Sequence, residues 1–153
     1  MHELGARLTI CDVNQKALQR CIDEFGAATC APDAIYDIKA DVFAPCALGA
    51  ILNLHTIKRL QVPIVAGSAN NQLAHQHHGV LLQERGILYA PDFLINAGGL
   101  IYVAAAYDHD NLEMAKKQVS NIYDSTMDIF VRAEKENLAT NEIAERIAME
   151  RLS

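Results

Sequence analysis

No stretch of this sequence concentrates lysine and arginine. Its 13 basic side chains are scattered and outnumbered by 19 acidic ones, for a formal net charge of -6. Phosphate backbones are bound by clustered Lys and Arg, so nucleic acid is not an expected partner. No apolar run approaches membrane length. The longest, Gly98 to Tyr107, falls well short of the roughly 18 residues a span needs, and no membrane partner is expected. Met1-His2-Glu3-Leu4-Gly5 offers neither a basic n-region nor an apolar h-region, so no secretory leader is expected. The cysteines Cys11, Cys21, Cys30 and Cys46 form no C-x-x-C pair. They sit among apolar or small residues, where free Cys packs as a small hydrophobe, and a cytoplasmic, reducing setting is expected. No G-x-G-x-x-G, internal repeat, low-complexity segment or Pro/Gly/Ser-rich linker is found.

What remains is an ordinary globular balance, 51% hydrophobic and 21% charged, in 153 residues. That is enough for one domain with a core. Short apolar runs alternate with helical patterns. Arg7–Cys11, Ala40–Ala44, Val62–Ala66 and Ile87–Ala90 read as strands. Asn14 caps a helix running to Phe25 and stopped by Gly26, Asn53–Leu60 reads as a second helix, and Gln72–Arg85 as a third stopped by Gly86. Such alternation predicts a parallel sheet with helices on both faces, in which the strands of Leu8, Val42, Ile64 and Leu88 pair. Leu4-Gly5-Ala6 reads as the end of a helix. The expected class is therefore α/β, an incomplete Rossmann-type doubly wound sheet lacking its first strand and Gly-rich turn. Residues 1–109 form the α/β part of a single domain, and 110–153 form C-terminal helices. Leu112, Ala115, Val119, Ile122, Thr126, Phe130 and Ala133 line one helix face, and Thr140 caps a shorter helix. These helices either pack on the sheet or meet a second domain or subunit.

In open parallel sheets ligands lie beyond the carboxyl ends of the strands. Asp12 ends the first strand before a capped helix. There it either binds both hydroxyls of an adenine ribose, favouring NAD over NADP, or holds a helix cap or loop amide. Phe43-Ala44-Pro45-Cys46-Ala47-Leu48-Gly49 turns from a strand into a small-residue loop that a flat ring can approach. Cys46 has no nearby base in sequence to make it a nucleophile. Gly67-Ser68-Ala69-Asn70-Asn71-Gln72 sets carboxamides at a strand end, suited to a carboxamide ligand such as nicotinamide or to a plain polar turn. Asn96-Ala97-Gly98-Gly99-Leu100-Ile101-Tyr102-Val103 places two glycines in a helical pattern. Each costs up to about 1 kcal/mol there, so a packing or ligand reason is expected. Leu100 and Val103 share a face. His75 and His78 have i, i+3 spacing, but nothing completes a metal set, and no metal is expected.

Taken together, Cys11-Asp12-Val13-Asn14, Phe43 to Gly49, Gly67 to Gln72, Tyr89-Ala90-Pro91-Asp92 and Ile95-Asn96-Ala97-Gly98-Gly99 resemble the leucine, phenylalanine and valine dehydrogenases. These are a branch of the glutamate dehydrogenase superfamily, and the resemblance runs over essentially the whole chain. It implies oxidative deamination of a branched-chain or other apolar L-amino acid to a 2-oxo acid and ammonia, with hydride passing to NAD, in a homo-oligomer. Asp12 matches the ribose-binding acid, Ala44, Pro45, Cys46 and Ala47 a loop beside the cofactor, and Asn70 and Asn71 amides near nicotinamide and substrate. Asn96 to Gly99 match the turn closing the active-site floor, and Leu100 and Val103 match positions touching the substrate side chain. The family's catalytic lysine, in a glycine-rich segment, and its catalytic acid belong to an N-terminal domain. None of the six lysines here stands in such a setting. The resemblance therefore implies no catalytic residue within these 153 and little activity of the chain alone. A nucleotide-binding or assembly module, or one subunit of a split enzyme, is the alternative.

Overall fold

The structure is a computed structural model describing residues 1–107 and 112–152. It contains two compact units, Met1–Lys39 with Arg59–Gln61, and Ala40–Lys58 with Val62–Ser153.

The first unit opens on a 3-10 turn, His2–Leu4, ended by Gly5 at φ 85°. Strand β1 (Thr9–Ile10) leads to helix α1 (Gln15–Phe25), strand β2 (Ala28–Thr29) and a 3-10 turn at Ala34–Asp37. Asn14 starts α1 as the sequence predicts: its Oδ1 accepts the amides of Lys16 at 3.1 Å and Ala17 at 3.2 Å. Gly26 ends the helix at φ 62°, a left-handed conformation that a side chain would strain. β1 and β2 run parallel, Thr9 opposite Ala28 and Ile10 opposite Thr29. Thus the Leu8 segment pairs with β2, in a sheet separate from that of the Val42, Ile64 and Leu88 strands. Ala28-Thr29 escapes a periodicity reading because two small residues after a helix stop carry no alternation. Arg59 holds the end of this unit, donating to Asp33 Oδ1 at 2.9 Å and Asp37 Oδ2 at 2.8 Å while lying 5.4 Å from the Tyr36 ring centroid.

The second unit holds β3 (Val42–Phe43), α2 (Leu54–Arg59, whose last residue belongs to the first unit), β4 (Ile64–Val65), α3 (His78–Glu84) and β5 (Leu88–Tyr89). Then come α4 (Asp92–Ile95), α5 (Gly98–Tyr107), α6 (Leu112–Glu136) and α7 (Thr140–Glu150). β3, β4 and β5 form a parallel sheet in that order, with Val42, Ile64 and Leu88 in register, the trio expected from sequence. Leu52, Ile57, Val65, Leu82 and Tyr89 are buried. A second cluster, Ile129, Ala133, Ile143 and Ala144, joins α6 to α7 and is flanked by Leu94 and Phe130. α7 also packs on α3 and β5.

Two expectations are corrected here. α3 starts at His78, not Gln72, because the Gln72 side chain turns inward. It donates to the carbonyls of Gly67 at 2.7 Å and Ala69 at 2.9 Å, and Leu73 bridges Leu52 as extended chain. Thr140 does not cap α7. Ala139 holds the cap position, with its N–H donating to Glu142 Oε2 at 3.3 Å. The Thr140 hydroxyl instead donates to the Tyr89 carbonyl at 2.6 Å, fastening α7 to the end of β5. The expected boundary between residues 109 and 110 lies outside the described residues. Among the described residues no helix is long and apolar enough to cross a membrane.

Candidate functional site

The carboxyl ends of β3, β4 and β5 meet through close backbone packing. At Gly67, after β4, an added Cβ would lie 2.1 Å from the Pro45 carbonyl oxygen and 2.4 Å from its nitrogen, so only glycine fits. The Ala69 N–H donates to that Pro45 oxygen at 2.9 Å, and the Ala50 N–H donates to the Asn71 oxygen at 2.7 Å. Asn71 has φ 53°, a left-handed conformation that Asn tolerates better than most residues. Asn70 and Asn71 are exposed at the turn, with Gln72 fully buried behind them.

A buried polar group supports this turn. Asp92, 8% exposed, opens α4 directly after β5. Its Oδ1 accepts the Tyr89 hydroxyl at 2.8 Å, and its Oδ2 accepts the Gln72 backbone N–H at 3.2 Å. The Asp92 N–H donates back to the Tyr89 hydroxyl at 3.2 Å. Burial, and then the bond to Asp92, push the Tyr89 phenol above its ordinary range, so it stays a donor at neutral pH. Asn96 Nδ2 donates to Asn70 Oδ1 at 2.7 Å. This bond orients the Asn70 carboxamide, which is itself exposed at the turn.

These groups line an open cleft of about 470 Å³ formed by Asn70, Asn71, Asp92, Phe93, Asn96, Ala97, Gly99 and Leu100. Asn70, Asn71, Asn96, Gly99 and Leu100, singled out from sequence, are thus brought together. An added Cβ at Gly99 would meet nothing within 4 Å. No packing within the described residues requires that glycine, and its backbone is open to an incoming group. Val103, 64% exposed, stands one turn further along α5, outside the lining.

Ala44, Pro45, Cys46 and Ala47 form the neighbouring β3 loop, outside the cleft lining. Pro45 is buried, and Cys46 and Ala47 are exposed. Asp12 lies in the first unit, exposed after β1. Its Oδ1 accepts the Asn14 N–H at 2.8 Å, so Asp12 orders the turn and Asn14 caps the helix. Sequence reasoning placed Tyr89 and Asp92 in a family-like stretch at a strand end but gave them no role, and it missed Phe93. The available signal was an acid opening a helix just past a strand end, where N-terminal carboxylates are favoured. His75, His77 and His78 cluster with ring centroids 4.4 to 5.6 Å apart, the His75 and His77 rings stacked and His78 tilted against both. Burial, then His77 and His75, hold His78 below its ordinary pKa. Among the described residues no group of three or more His, Cys, Asp or Glu could hold a metal ion.

The cleft lies beyond the carboxyl ends of parallel strands, where ligands bind in open α/β sheets, and comparison with known proteins narrows the class. Residues 7–152 match the Glutamate/Leucine/Phenylalanine/Valine dehydrogenase family, and the chain belongs to that family. It is 48% identical over 152 residues to a leucine dehydrogenase of Thermoactinomyces intermedius, covering 99% of this chain and 42% of that protein. It is 45% identical over 154 residues to an L-tryptophan dehydrogenase of Nostoc punctiforme, covering 100% of this chain and 44% of that protein. The crystal structure of the Nostoc punctiforme L-tryptophan dehydrogenase superposes with a TM-score of 0.94 at 46% identity, covering 98% of this chain and 45% of that one. The chain thus spans under half the length of these relatives.

Proposed function

We propose that these residues are the cofactor- and substrate-facing part of an NAD-dependent dehydrogenase that oxidatively deaminates an apolar L-amino acid. The observation that carries the reading is the convergence of Asn70, Asn71, Asn96, Gly99 and Leu100 on one cleft at the strand ends. The residues fit a nicotinamide dinucleotide. Exposed carboxamides at Asn70 and Asn71 match the donor and acceptor pattern of a nicotinamide amide. Gly99 leaves room for a ring against the backbone, and Asp12 keeps Oδ2 for a ribose hydroxyl and repels a 2′-phosphate, so NAD is preferred to NADP. When bound, the cofactor accepts hydride from the amino-acid Cα.

The chain's own residues orient and enclose. Asn96 fixes Asn70, the Asp92–Tyr89 pair fixes the turn behind it, and Leu100 offers an apolar wall. The residues that move protons are absent from these 153, so the chain on its own turns nothing over. The apolar surface of α5 supports a further part that packs against it. That helix has no charged side chain and buries none of its residues, and a helix apolar all round is ordinarily covered. The rest of the enzyme, or a second copy in a homo-oligomer, would cover it.

The test joins the chain behind the complementary N-terminal part of the Thermoactinomyces intermedius leucine dehydrogenase and follows NADH formation. The hybrid is expected to oxidise apolar amino acids, while the chain alone yields no NADH. A folded hybrid that binds NAD but converts no amino acid contradicts the reading, as does turnover by the purified chain alone.

A further inference from the structure

Cys11 and Cys30 stand at the ends of neighbouring parallel strands. The register pairs Thr9 with Ala28 and Ile10 with Thr29, so the next step sets Cys11 opposite Cys30. The Cys30 N–H donates to the Ile10 carbonyl at 3.1 Å, carrying the pairing up to Cys11. Cys30 Sγ lies 3.9 Å from the same oxygen. Adjacent strands run about 4.7–4.9 Å apart, and opposed residues point to the same face. That separation lies inside the window of roughly 4.4–6.8 Å that disulfides span between Cα atoms. Both are free thiols and half-buried, within reach of a small oxidant. Burial, then Cys30 and Asp12, hold the Cys11 thiol above its ordinary range. Cys21 lies on α1, and Cys46 belongs to the other unit.

We propose that Cys11 and Cys30 form a redox modification site, a cross-strand dithiol that a peroxide closes to a disulfide. One thiolate attacks a peroxide oxygen, the O–O bond breaks, and a sulfenic acid and water result. The second sulfur attacks the sulfenic sulfur, the S–S bond forms, and a second water leaves. Two thiols are oxidised by two electrons in all, and the peroxide is reduced to two waters. The new bond ties down the turn carrying Asp12. A consequence for nucleotide binding rests on the reading of Asp12 as the ribose acid, but the thiol chemistry does not.

The experiment treats the 153-residue chain with dilute hydrogen peroxide, followed by non-reducing peptide mapping. A link between Cys11 and Cys30 within one chain is expected, lighter by two hydrogens and reversed by dithiothreitol. It should form faster at alkaline pH and be absent in Cys30→Ser. Backbone amide NMR signals of Asp12 to Ala17 should move on closure while those of Thr140 and Tyr89 stay. Sulfinic acids without a link, a link to Cys21 or Cys46, or links only between chains would overturn the proposal.

Discussion

Replacing Tyr89 with Phe removes one oxygen and leaves the ring in place. That oxygen donates to the Asp92 carboxylate and accepts the Asp92 N–H, in a residue 2% exposed beside one 8% exposed. A hydrogen bond to a charged group contributes about 1.5–3 kcal/mol, and a buried donor left unpaired costs about 1–3 kcal/mol. The two losses share one atom and do not add fully. Asp92 also keeps the Gln72 N–H, so a destabilisation of about 2–4 kcal/mol is expected. Urea unfolding followed by circular dichroism measures it. The phenol gives a second, independent signature. Its folded pKa is raised, so the stability it carries is present below the unfolded value of about 10. Above that pH the unfolded chain ionises first, and stability falls by up to about 1.4 kcal/mol per pH unit until the folded pKa is passed. Subtracting the Tyr89→Phe profile from that of the unaltered chain should isolate this alkaline slope. A loss below about 0.5 kcal/mol, or identical alkaline profiles, would refute the network.

Gly67→Ala should cost at least about 3 kcal/mol, because overpacking ordinarily costs roughly 1–3 and here the new atom strikes backbone. Gly98→Ala, whose added Cβ would sit 3.9 Å from Val119 Cγ2, should change stability by less than about 1 kcal/mol; both are read from urea midpoints. His78 is held low by burial, so its contribution is present above the unfolded pKa of about 6.5 and lost as pH falls through the folded value. His78→Gln should flatten that acid limb in pH-dependent unfolding. In the hybrid enzyme, Leu100→Ala should shift the ratio of kcat/KM between large and small apolar substrates by about 10-fold or more, the effect of a hydrophobic wall. An unmoved ratio would take Leu100 out of the pocket.

Where punctuation and periodicity agree, the sequence is informative. Asn14 and Gly26 bracket α1, and Val42, Ile64 and Leu88 each centre an apolar run between stop signals, so those strands are read correctly. Asn70 and Asn71 stand out as consecutive carboxamides at a strand end, and Asn96 through the double glycine that follows it and the family resemblance. Strand β2 was missed because Ala28-Thr29 carries no alternation, whereas the other misreadings share one cause, a polar side chain used across the fold rather than along the chain. Gln72 looked like the start of a helix but turns inward to two carbonyls. Thr140 looked like a cap but reaches the end of β5, and nothing local announces a partner 51 residues away in sequence. The role of Asp92 is hidden for the same reason, since its partner Gln72 comes from another strand end.

The central claim is that the Asn70–Leu100 cleft receives the nicotinamide end of NAD. Amide NMR signals of the 153-residue chain, followed while NAD is added to millimolar concentration, test it most directly. The account predicts saturable shifts in the side-chain amides of Asn70 and Asn71 and in the backbone of Gly99, with NADP giving weaker binding. Shifts that leave these three residues still, or none at saturating NAD, would contradict it.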